Sequence, residues 1–413
     1  MRLQGFKNKK ILILGFGVEG KDAFGFLKKV FPKQRIAISD KKRRGQYLKC
    51  LKNYDIVIKS PGISPKELAK GLSEAKNRPI ITSVTDIFFN NCKSKIIGIT
   101  GTKGKSTTSS LIYHILKKAG KKVYLVGNIG KPPLKLLLSS KPEDIFVYEL
   151  SSHQLLGLKK SPQIAVLLNI YREHLDYYRS FNEYINAKAN ITKYQSKNDY
   201  LVFNEKDPIV SEMAKKTNAK KVPFRGEFYQ GDIAAAKAVC KILKIPYLKI
   251  ESAVKSFKFL PHRLELVGRF KGITFYNDSL ATIPEAAIMA MKSLGGGVET
   301  LILGGFERFY DFSDLAKEIL NREIKTIIFF PTTGFRIWQE LVKLGRKKKT
   351  ILPKRFFVKD MKEAVRIAYG NTSRNKICLM SPASPSFSIF KDYKERGDLF
   401  KKYVKQLGKN GKN

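Results

Sequence analysis

One segment constrains the fold of this chain more than any other: residues 100–107 read Thr-Gly-Thr-Lys-Gly-Lys-Ser-Thr. An apolar run at 95–100 precedes it, and a helical pattern at 106–119 follows it. A glycine-rich turn between a strand and a helix can present backbone N–H groups to nucleotide phosphates. The pattern therefore predicts an ATP-binding loop, in which Lys105 reaches the β- and γ-phosphates and Ser106 binds Mg²⁺.

This loop departs from the strict phosphate-loop pattern, which has a glycine five residues before Gly104. Ile99 stands there, and Gly98 lies one place earlier. The alternative is a glycine-rich turn that binds nothing. We favour ATP binding, and the expected contacts are Gly101, Thr102, Lys103, Gly104, Lys105, Ser106 and Thr107.

A second glycine motif, Gly15-x-Gly17-x-x-Gly20, follows an apolar run at residues 10–14 and precedes a helical pattern. Asp40 comes twenty residues after Gly20. In a dinucleotide-binding unit the glycines let the backbone approach a diphosphate, and the acid binds a ribose hydroxyl. The motif alone does not separate NAD from a UDP-sugar, and a tight structural turn is a further alternative.

Apolar runs alternate with helical patterns along the whole chain, which predicts an α/β fold with doubly wound parallel sheets. A polar stretch at 90–94 and a joint at 260–263 interrupt this alternation. We therefore expect three domains with boundaries 1–92, 93–260 and 261–413. A helix over 388–407 is expected to close the chain.

Three further polar residues of the central domain are candidates for the site. Glu149 ends a strand and is either a solvated loop acid or a Mg²⁺ ligand at the carboxyl edge of the sheet. His174, flanked by acids, is either structural or a ligand to metal or substrate. Lys188 lies in a helical pattern and, taken alone, reads as a surface lysine.

The chain is strongly basic, with 79 Lys and Arg against 35 Asp and Glu, a net charge of +44. One interpretation is a non-catalytic protein that binds nucleotides or nucleic acids. Because the lysines are spread evenly and no nucleic-acid-binding motif accompanies them, we favour an enzyme whose positive field attracts anionic small substrates. We expect no specific nucleic acid partner.

The sequence also favours the cytoplasm. Its four cysteines are far apart and form no CxxC pair, which fits a reducing compartment. No run approaches the roughly 20 apolar residues that span a bilayer. The N-terminus lacks the apolar core of a signal peptide, so we expect a cytoplasmic protein without membrane contact.

Taken in order, these motifs resemble the Mur ligases, the ATP-dependent amide-forming enzymes of peptidoglycan precursor synthesis. The later segments are most similar to the members that add D-glutamate to UDP-N-acetylmuramoyl-L-alanine. The similarity covers essentially the whole chain, through segments 60–62, 127–130, 261–265, 275–279, 303–305, 381–387 and 394–397.

The resemblance implies an N-terminal Rossmann-like domain for the UDP end of the substrate, a central P-loop domain for ATP, and a C-terminal Rossmann-like domain for the incoming amino acid. It implies an ADP-forming reaction: ATP phosphorylates the alanyl carboxylate, and the amine of glutamate attacks the acyl phosphate. A monomer is expected. The motif at Gly15–Gly20 becomes a UDP-diphosphate loop.

The resemblance also assigns roles to residues. Lys105, Glu149, His174 and Lys188 would be catalytic, with Ser106 and Glu149 at a first Mg²⁺ and His174 and a carbamylated Lys188 at a second. The UDP-sugar contacts would be Gly15, Gly17, Val18, Asp40, Gly62 and Asn128. Further ATP contacts would be Arg263 and Asp278, and the amino-acid contacts Thr282, Arg308, Ser386, Phe387 and Tyr393.

The chain departs from the family pattern in the later segments. Leu280 and Ile283 replace a lysine and an asparagine, and Arg308 replaces another lysine. The adenine motif is altered at 228–232, and the stretch 204–234 is short. We expect an active but divergent ligase, and an acceptor such as L-glutamate is the alternative.

Overall fold

The structure is a computed structural model that describes residues 1–41, 47–73, 78–173, 177–226, 228–257, 261–322 and 324–409. The chain divides into two compact units, Met1–Phe257 and Lys258–Asn413. Two sheets lie in the first unit and one lies in the second. No helix in these ranges is long and apolar enough to cross a bilayer.

The first sheet contains four parallel strands in the order β2-β1-β3-β4. Its central strand β1 is buried along its whole length, as expected for a parallel strand with helices on both faces. The elements are β1 (Ile11–Leu14), α1 (Val18–Val30), β2 (Ile36–Ser39), β3 (Ile56–Lys59), α2 (Pro65–Leu72), β4 (Ile80–Thr82) and α3 (Val84–Asn91), with 3₁₀ turns at Leu3–Phe6 and Lys49–Asn53.

The second sheet has six parallel strands in the order β10-β9-β8-β5-β7-β6. Its strands are β5 (Lys95–Thr100), β6 (Val123–Gly127), β7 (Ile145–Glu149), β8 (Ile164–Leu167), β9 (Tyr200–Asn204) and β10 (Lys220–Phe224). Its helices are α4 (Lys105–Lys118), α5 (Pro133–Leu137), α6 (Ser152–Leu155), α7 (Phe181–Lys193), α8 (Pro208–Lys215), α9 (Phe228–Ile242) and α10 (Tyr247–Ser256).

Strand register brings the central polar segments to one edge of this sheet. β5 lies between β7 and β8, with Ile99 opposite Glu149 and Thr100 opposite Leu167. Three adjacent strands therefore end next to one another: β5 ends at the glycine loop, β7 ends at Glu149, and β8 ends at the loop that contains Asn169. Ligands of open parallel sheets bind at this carboxyl edge.

The third sheet has the order β11-β12-β16-β13-β14-β15 and is parallel except for the β11–β12 hairpin. Its strands are β11 (Glu265–Phe270), β12 (Ile273–Asn277), β13 (Val298–Gly304), β14 (Thr326–Phe330), β15 (Lys354–Phe357) and β16 (Ile377–Met380). Its helices are α11 (Pro284–Leu294), α12 (Ser313–Asn321), α13 (Thr333–Lys348), α14 (Met361–Asn371) and α15 (Tyr393–Lys409), with a 3₁₀ turn at Gly295–Gly297.

The predicted α/β class with parallel sheets is confirmed, whereas the predicted start of the last helix is wrong. α15 begins at Tyr393 rather than at Ser388. Asp392 Oδ1 accepts hydrogen bonds from the backbone N–H groups of Lys394 and Glu395, which fixes the start of the helix there. The three domain boundaries stay predictions.

Within the first unit, α1 ties the first sheet to the second. Asp22 accepts hydrogen bonds from the backbone N–H groups of Leu134 and Lys135, at 2.9 and 3.1 Å. These groups belong to the first turn of α5, whose free N–H groups need acceptors. Aromatic contacts between Phe88 and Phe146 continue the same core across both sheets.

Candidate active site

The loop between β5 and α4 is a formed glycine turn that wraps around a lysine. Gly104 has a φ of +85°, and a Cβ there would lie 2.3 Å from Asp232 Oδ1, so no other residue fits without a shift. Lys105 Nζ donates to the carbonyl oxygens of Gly101 and Thr102, at 3.0 and 2.9 Å. The lysine predicted to reach the phosphates therefore lies over its own loop.

The loop after β8 anchors this turn from the neighbouring strand. Asn169 Oδ1 accepts from the backbone N–H of Lys103 at 2.8 Å, and its Nδ2 donates to the Lys103 carbonyl at 3.1 Å. The Thr102 hydroxyl lies 2.9 Å from the Tyr184 hydroxyl, and Lys103 pairs with Glu173 at 3.1 Å. Sequence reasoning missed Asn169, although its position directly after a buried strand pointed to this edge.

Glu149 is completely buried, so the interpretation as a solvated loop acid is wrong. Its Oε1 accepts from Asn128 Nδ2 at 3.1 Å. Its buried Oε2 has no hydrogen-bond partner among the residues that the structure describes. A buried carboxylate oxygen without a donor is costly, and a cation is one way to satisfy it.

Lys188 is 1% exposed, so the interpretation as a surface lysine is also wrong. Its Nζ donates to the Gly101 carbonyl at 2.8 Å and lies 4.9 Å from the centre of the Tyr184 ring. Burial, and then the nearby charge of Lys105, hold the pKa of Lys188 well below its usual value. Lys188 therefore loses its proton more readily than an ordinary lysine does.

The residues present fit a divalent cation bound together with phosphates. Ser106 is buried at the start of α4, and Glu149 offers its unpartnered oxygen. Across the described ranges, no three His, Cys, Asp or Glu side chains form a closed metal cluster. Mg²⁺ needs none, since it binds through one or two protein groups, substrate phosphates and water. His174 lies outside the described residues.

The glycine loop of the first sheet has the geometry of a diphosphate-binding turn. Gly15 has a φ of +91°, and a Cβ on Gly20 would lie 2.2 Å from the Gly15 carbonyl oxygen. Asp40 Oδ2 accepts from the backbone N–H of Phe16 at 2.6 Å, so the acid is held against this loop. The side chain of Val18, at the start of α1, is 73% exposed.

Of the remaining UDP-sugar candidates, two lie at the carboxyl edge of the first sheet and one lies at the carboxyl edge of the second sheet. Gly17 is the residue before the first turn of α1, and Gly62 lies in an exposed turn after β3. Asn128 follows β6, where its backbone N–H and side-chain amide both bind Glu149. The structure therefore brings Asn128 to the central site.

In the second unit, the expected ATP residue Asp278 has both carboxylate oxygens engaged. Oδ1 accepts from the backbone N–H of Leu264 at 3.0 Å, and Oδ2 accepts from the Ser381 hydroxyl at 2.7 Å. Arg263 precedes Leu264 and is half-buried. The aspartate thus fixes the loop that carries the arginine.

Three of the amino-acid candidates lie on one pair of loops. The Phe306 and Phe387 rings meet edge to face at 6.3 Å, so the loop that contains Arg308 packs beside the loop that contains Ser386. Ser386 is 2% exposed, whereas Phe387 is 58% exposed and Arg308 is exposed. These loops offer an exposed aromatic ring and a guanidinium group.

A buried arginine that sequence reasoning missed supports the other candidates. Arg396 donates from Nη2 to the Ser279 carbonyl at 2.7 Å and from Nη1 to the Ser384 carbonyl at 3.1 Å. Burial lowers its pKa to about 9. Ser279 in turn donates to the Tyr393 carbonyl, and Thr282 is half-buried in the same β12–α11 connection. In the sequence, Arg396 is part of the segment 394–397, which resembles the family but does not by itself indicate that the arginine supports a site.

Comparison with known proteins agrees with this geometry. Residues 99–271 match the model of the Mur ligase middle domain. A curated relative from Clostridium tetani, UDP-N-acetylmuramoylalanine–D-glutamate ligase, is 32% identical over 97% of both chains. The chain belongs to the Mur ligase family. A second relative of the same name, from Caldanaerobacter subterraneus, is 33% identical over 86% of this Mur ligase and 85% of its own length.

Solved structures show that this Mur ligase has the family's fold. The UDP-N-acetylmuramate-alanine ligase MurC of Thermotoga maritima superimposes with a TM-score of 0.59 at 16% identity, over 98% of this chain and 100% of its own. The MurF ligase of the same organism, solved in complex with ADP, also gives 0.59 at 16% identity, over 98% of each chain. The expected three-domain α/β architecture is therefore confirmed.

Proposed function

We propose that this Mur ligase adds D-glutamate to UDP-N-acetylmuramoyl-L-alanine, with conversion of ATP to ADP and phosphate, in peptidoglycan precursor synthesis. One observation carries the proposal. Lys105, Lys188 and the unpartnered oxygen of Glu149 belong to one edge of the central sheet, in a chain that is 32% identical to a curated D-glutamate ligase over 97% of its length.

The first step is phosphoryl transfer from ATP to the alanyl carboxylate. The γ-phosphorus forms a bond to a carboxylate oxygen while its bond to the ADP oxygen breaks. Little covalent chemistry is left to the protein, so positioning and charge neutralisation dominate. Lys105 serves this step by leaving its two loop carbonyls for phosphate oxygens, which are stronger acceptors for an ammonium group.

Ser106 and Glu149 are the groups that would hold the first Mg²⁺, and His174 and Lys188 those that would hold the second. The ion supplies neutralisation of phosphate charge and orientation of the phosphoryl group when it is bound. Asn128 keeps Glu149 oriented by donating to Oε1, which would leave Oε2 as the oxygen that binds the cation.

Lys188 suits carbamylation because its amine is buried and its pKa is depressed. The neutral nitrogen forms a bond to the carbon of CO₂ and loses a proton, which converts the neutral amine into an anionic carbamate. The anionic carbamate would also attract the nearby charge of Lys105, which lowers the pKa of the unmodified amine.

In the second step the amine of glutamate attacks the acyl carbon, and phosphate leaves from the tetrahedral intermediate. Arg308 is the group that would pair with a glutamate carboxylate, beside the exposed ring of Phe387. Ser386, Thr282 and Tyr393 would complete the contacts. Because Leu280 and Ile283 replace polar family residues here, a different acceptor such as L-glutamate is the second candidate.

The other end of the substrate would bind at the first sheet, through the loop at Gly15–Gly20 and Asp40. We propose a cytoplasmic, monomeric enzyme. Size-exclusion chromatography with light scattering tests the monomer, for which one chain weighs 46.9 kDa.

The deciding experiment is product analysis by mass spectrometry. Purified protein receives ATP, Mg²⁺ and UDP-N-acetylmuramoyl-L-alanine with D-glutamate, L-glutamate or no amino acid. The proposal predicts ADP release and a dipeptide product with D-glutamate alone. A product with L-glutamate only would select the second candidate, and no turnover at any Mg²⁺ concentration would refute the ligase.

A further inference from the structure

One lysine at the carboxyl edge of the first sheet, Lys59, is not among the catalytic, ATP, UDP-sugar or amino-acid candidates. Lys59 is the last residue of β3 and lies opposite Leu14, the last residue of β1. The glycine loop begins at the next residue of that strand, Gly15. Lys59 is therefore at the level of the loop to which the UDP-sugar is assigned.

The turn that follows Lys59 is in direct contact with this loop. The Ser60 hydroxyl donates to the Gly15 carbonyl at 3.0 Å, and the Ser60 backbone N–H donates to the Leu14 carbonyl at 2.9 Å. A Cβ on Gly15 would lie 2.6 Å from the Ser60 hydroxyl. The turn and the glycine loop thus form one packed surface.

The ammonium group of Lys59 has only neutral partners. Its Nζ donates to the carbonyl oxygens of Ile63 at 2.8 Å and of Ser60 at 3.3 Å. Throughout the described part of the chain, no carboxylate lies within 4 Å of it. Glu19 and Glu67 act on it only from farther away, and burial lowers its pKa to about 8.

Both of these acids are bonded to residues other than Lys59, although Glu19 Oε2 has no hydrogen-bond partner among the described residues. Glu67 pairs with Lys41 and caps α2 through Ser64. Glu19 accepts from Gln154 Nε2 at 2.7 Å, which ties it to the second sheet. A partly buried ammonium without an anionic partner is unfavourable by itself, and an anion bound beside it would relieve that cost.

We propose that Lys59 binds the diphosphate of the nucleotide-sugar substrate, next to the backbone N–H groups of the glycine loop. This inference rests on the proposed function. An anionic phosphate oxygen takes the place of the Ser60 carbonyl, a neutral acceptor 3.3 Å from Nζ, and so gives the ammonium group a partner of opposite charge.

The test is calorimetric binding of UDP, UMP and uridine to the full chain and to Lys59→Met. The matched control is Lys52→Met, which removes an exposed lysine of the same sheet's connection. We expect Lys59→Met to weaken UDP binding by roughly tenfold to a hundredfold, the usual loss for a charge-assisted hydrogen bond. The affinity for uridine should stay unchanged, and the loss of affinity for UMP should lie between those for uridine and UDP. Lys52→Met should bind all three like the parent.

A second variant guards against misfolding. Lys59→Gln keeps a donor for the Ile63 carbonyl and removes the charge, and thermal unfolding identifies which variants are folded. UDP binding at parental strength in a folded Lys59→Met or Lys59→Gln overturns the inference while leaving the ligase intact. A parent chain that binds no UDP and turns over no UDP-sugar overturns both. The inference also requires that kcat at saturating substrate stays close to the parent's.

Discussion

The candidate site of the central sheet and the amino-acid loops of the second unit are built differently. Around the phosphate loop the key side chains are buried and held by other protein groups. Glu149 is completely buried and accepts from the Asn128 side chain, and Lys188 is 1% exposed and donates to the Gly101 carbonyl. In the second unit Phe387 is 58% exposed and Arg308 is exposed, although Ser386 beside them is buried. The side chains of the central site are fixed by contacts within the protein, whereas the loops of the second unit present exposed side chains that a ligand could contact.

This chain keeps the family's residues at Lys105, Glu149 and Lys188, around the phosphate loop. Leu280 and Arg308 differ from the family pattern and are at least partly exposed. Ile283 also differs, although its side chain is 1% exposed. The departures therefore include the loops that we assign to the acceptor, but they are not confined to exposed side chains.

The largest effect is expected in the organised region. Lys105→Ala removes the cation that faces the transferring phosphate, so we expect kcat to fall roughly 10³-fold. The loss of two hydrogen bonds to loop carbonyls lowers stability only slightly. Phosphate release measures kcat, and thermal unfolding checks the fold.

Lys121→Ala, at an exposed lysine just beyond the end of α4, is the matched control and is expected to keep full activity. Full activity in Lys105→Ala as well would mean that the phosphate loop is misassigned.

Much of this region was predictable because its signals are local. An apolar run followed by glycines and a lysine predicts a strand, a turn and a phosphate-binding residue within 15 positions of each other. Gly104 has the positive φ of a tight turn, and β5 and α4 lie within one or two residues of the predicted bounds. The contact of Lys105 with phosphates stays a prediction. The fold class followed from the same alternation of strands and helices.

The partners of these residues were not predictable, because they are set by strand order. Lys103 meets Asn169 across 66 positions, and Glu19 meets Gln154 across 135. The burial of Lys188 depends on how α7 packs against β5, and the helix sequence alone presents it as one more lysine among many. The edge strand β11 carries no continuous apolar run, so nothing local marked it.

The second effect separates activity from stability. Lys188→Met removes a buried amine, so we expect turnover to fall by about 10²-fold or more if its carbamate holds a metal. The Gly101 carbonyl keeps Lys105 as a donor, and the Thr100 hydroxyl, which Lys188 also contacts, keeps its hydrogen bond to the Leu150 carbonyl. The folded protein is therefore expected to melt at a higher temperature than the parent at pH 7.

The pH dependence sharpens this prediction. Burial lowers the pKa of Lys188 in the folded state, so the unfolded chain binds the extra proton more readily. The parent's free energy of unfolding therefore rises with pH up to the ordinary lysine pKa near 10.5. The advantage of Lys188→Met should shrink as pH rises, whereas Lys193→Met, on the exposed end of α7, should show no such trend. A carbamate signal with ¹³C-bicarbonate in NMR tests the modification directly.

The third effect probes the exposed region. Arg308→Ala removes a guanidinium that we assign to a carboxylate of the acceptor, so the KM for glutamate should rise roughly tenfold to a hundredfold. The KM for ATP should stay unchanged, and so should the melting temperature, because the side chain is exposed. Arg308→Lys should recover part of the loss. Equal increases in both KM values would remove the assignment to the acceptor.

The smallest effect tests whether the organisation of the phosphate loop matters in itself. Asn169→Ala removes two hydrogen bonds to the backbone of Lys103, worth about 1 kcal/mol each. Because Asn169 is assigned no contact with ATP, its loss should loosen the loop and raise the KM for ATP several-fold with little change in the KM for glutamate. Asn198→Ala, at an exposed asparagine of the same unit, controls for the substitution itself. An unchanged KM for ATP in a folded Asn169→Ala would show that the loop keeps its shape without this anchor, and the contrast between the two regions would then rest on Glu149 and Lys188 alone.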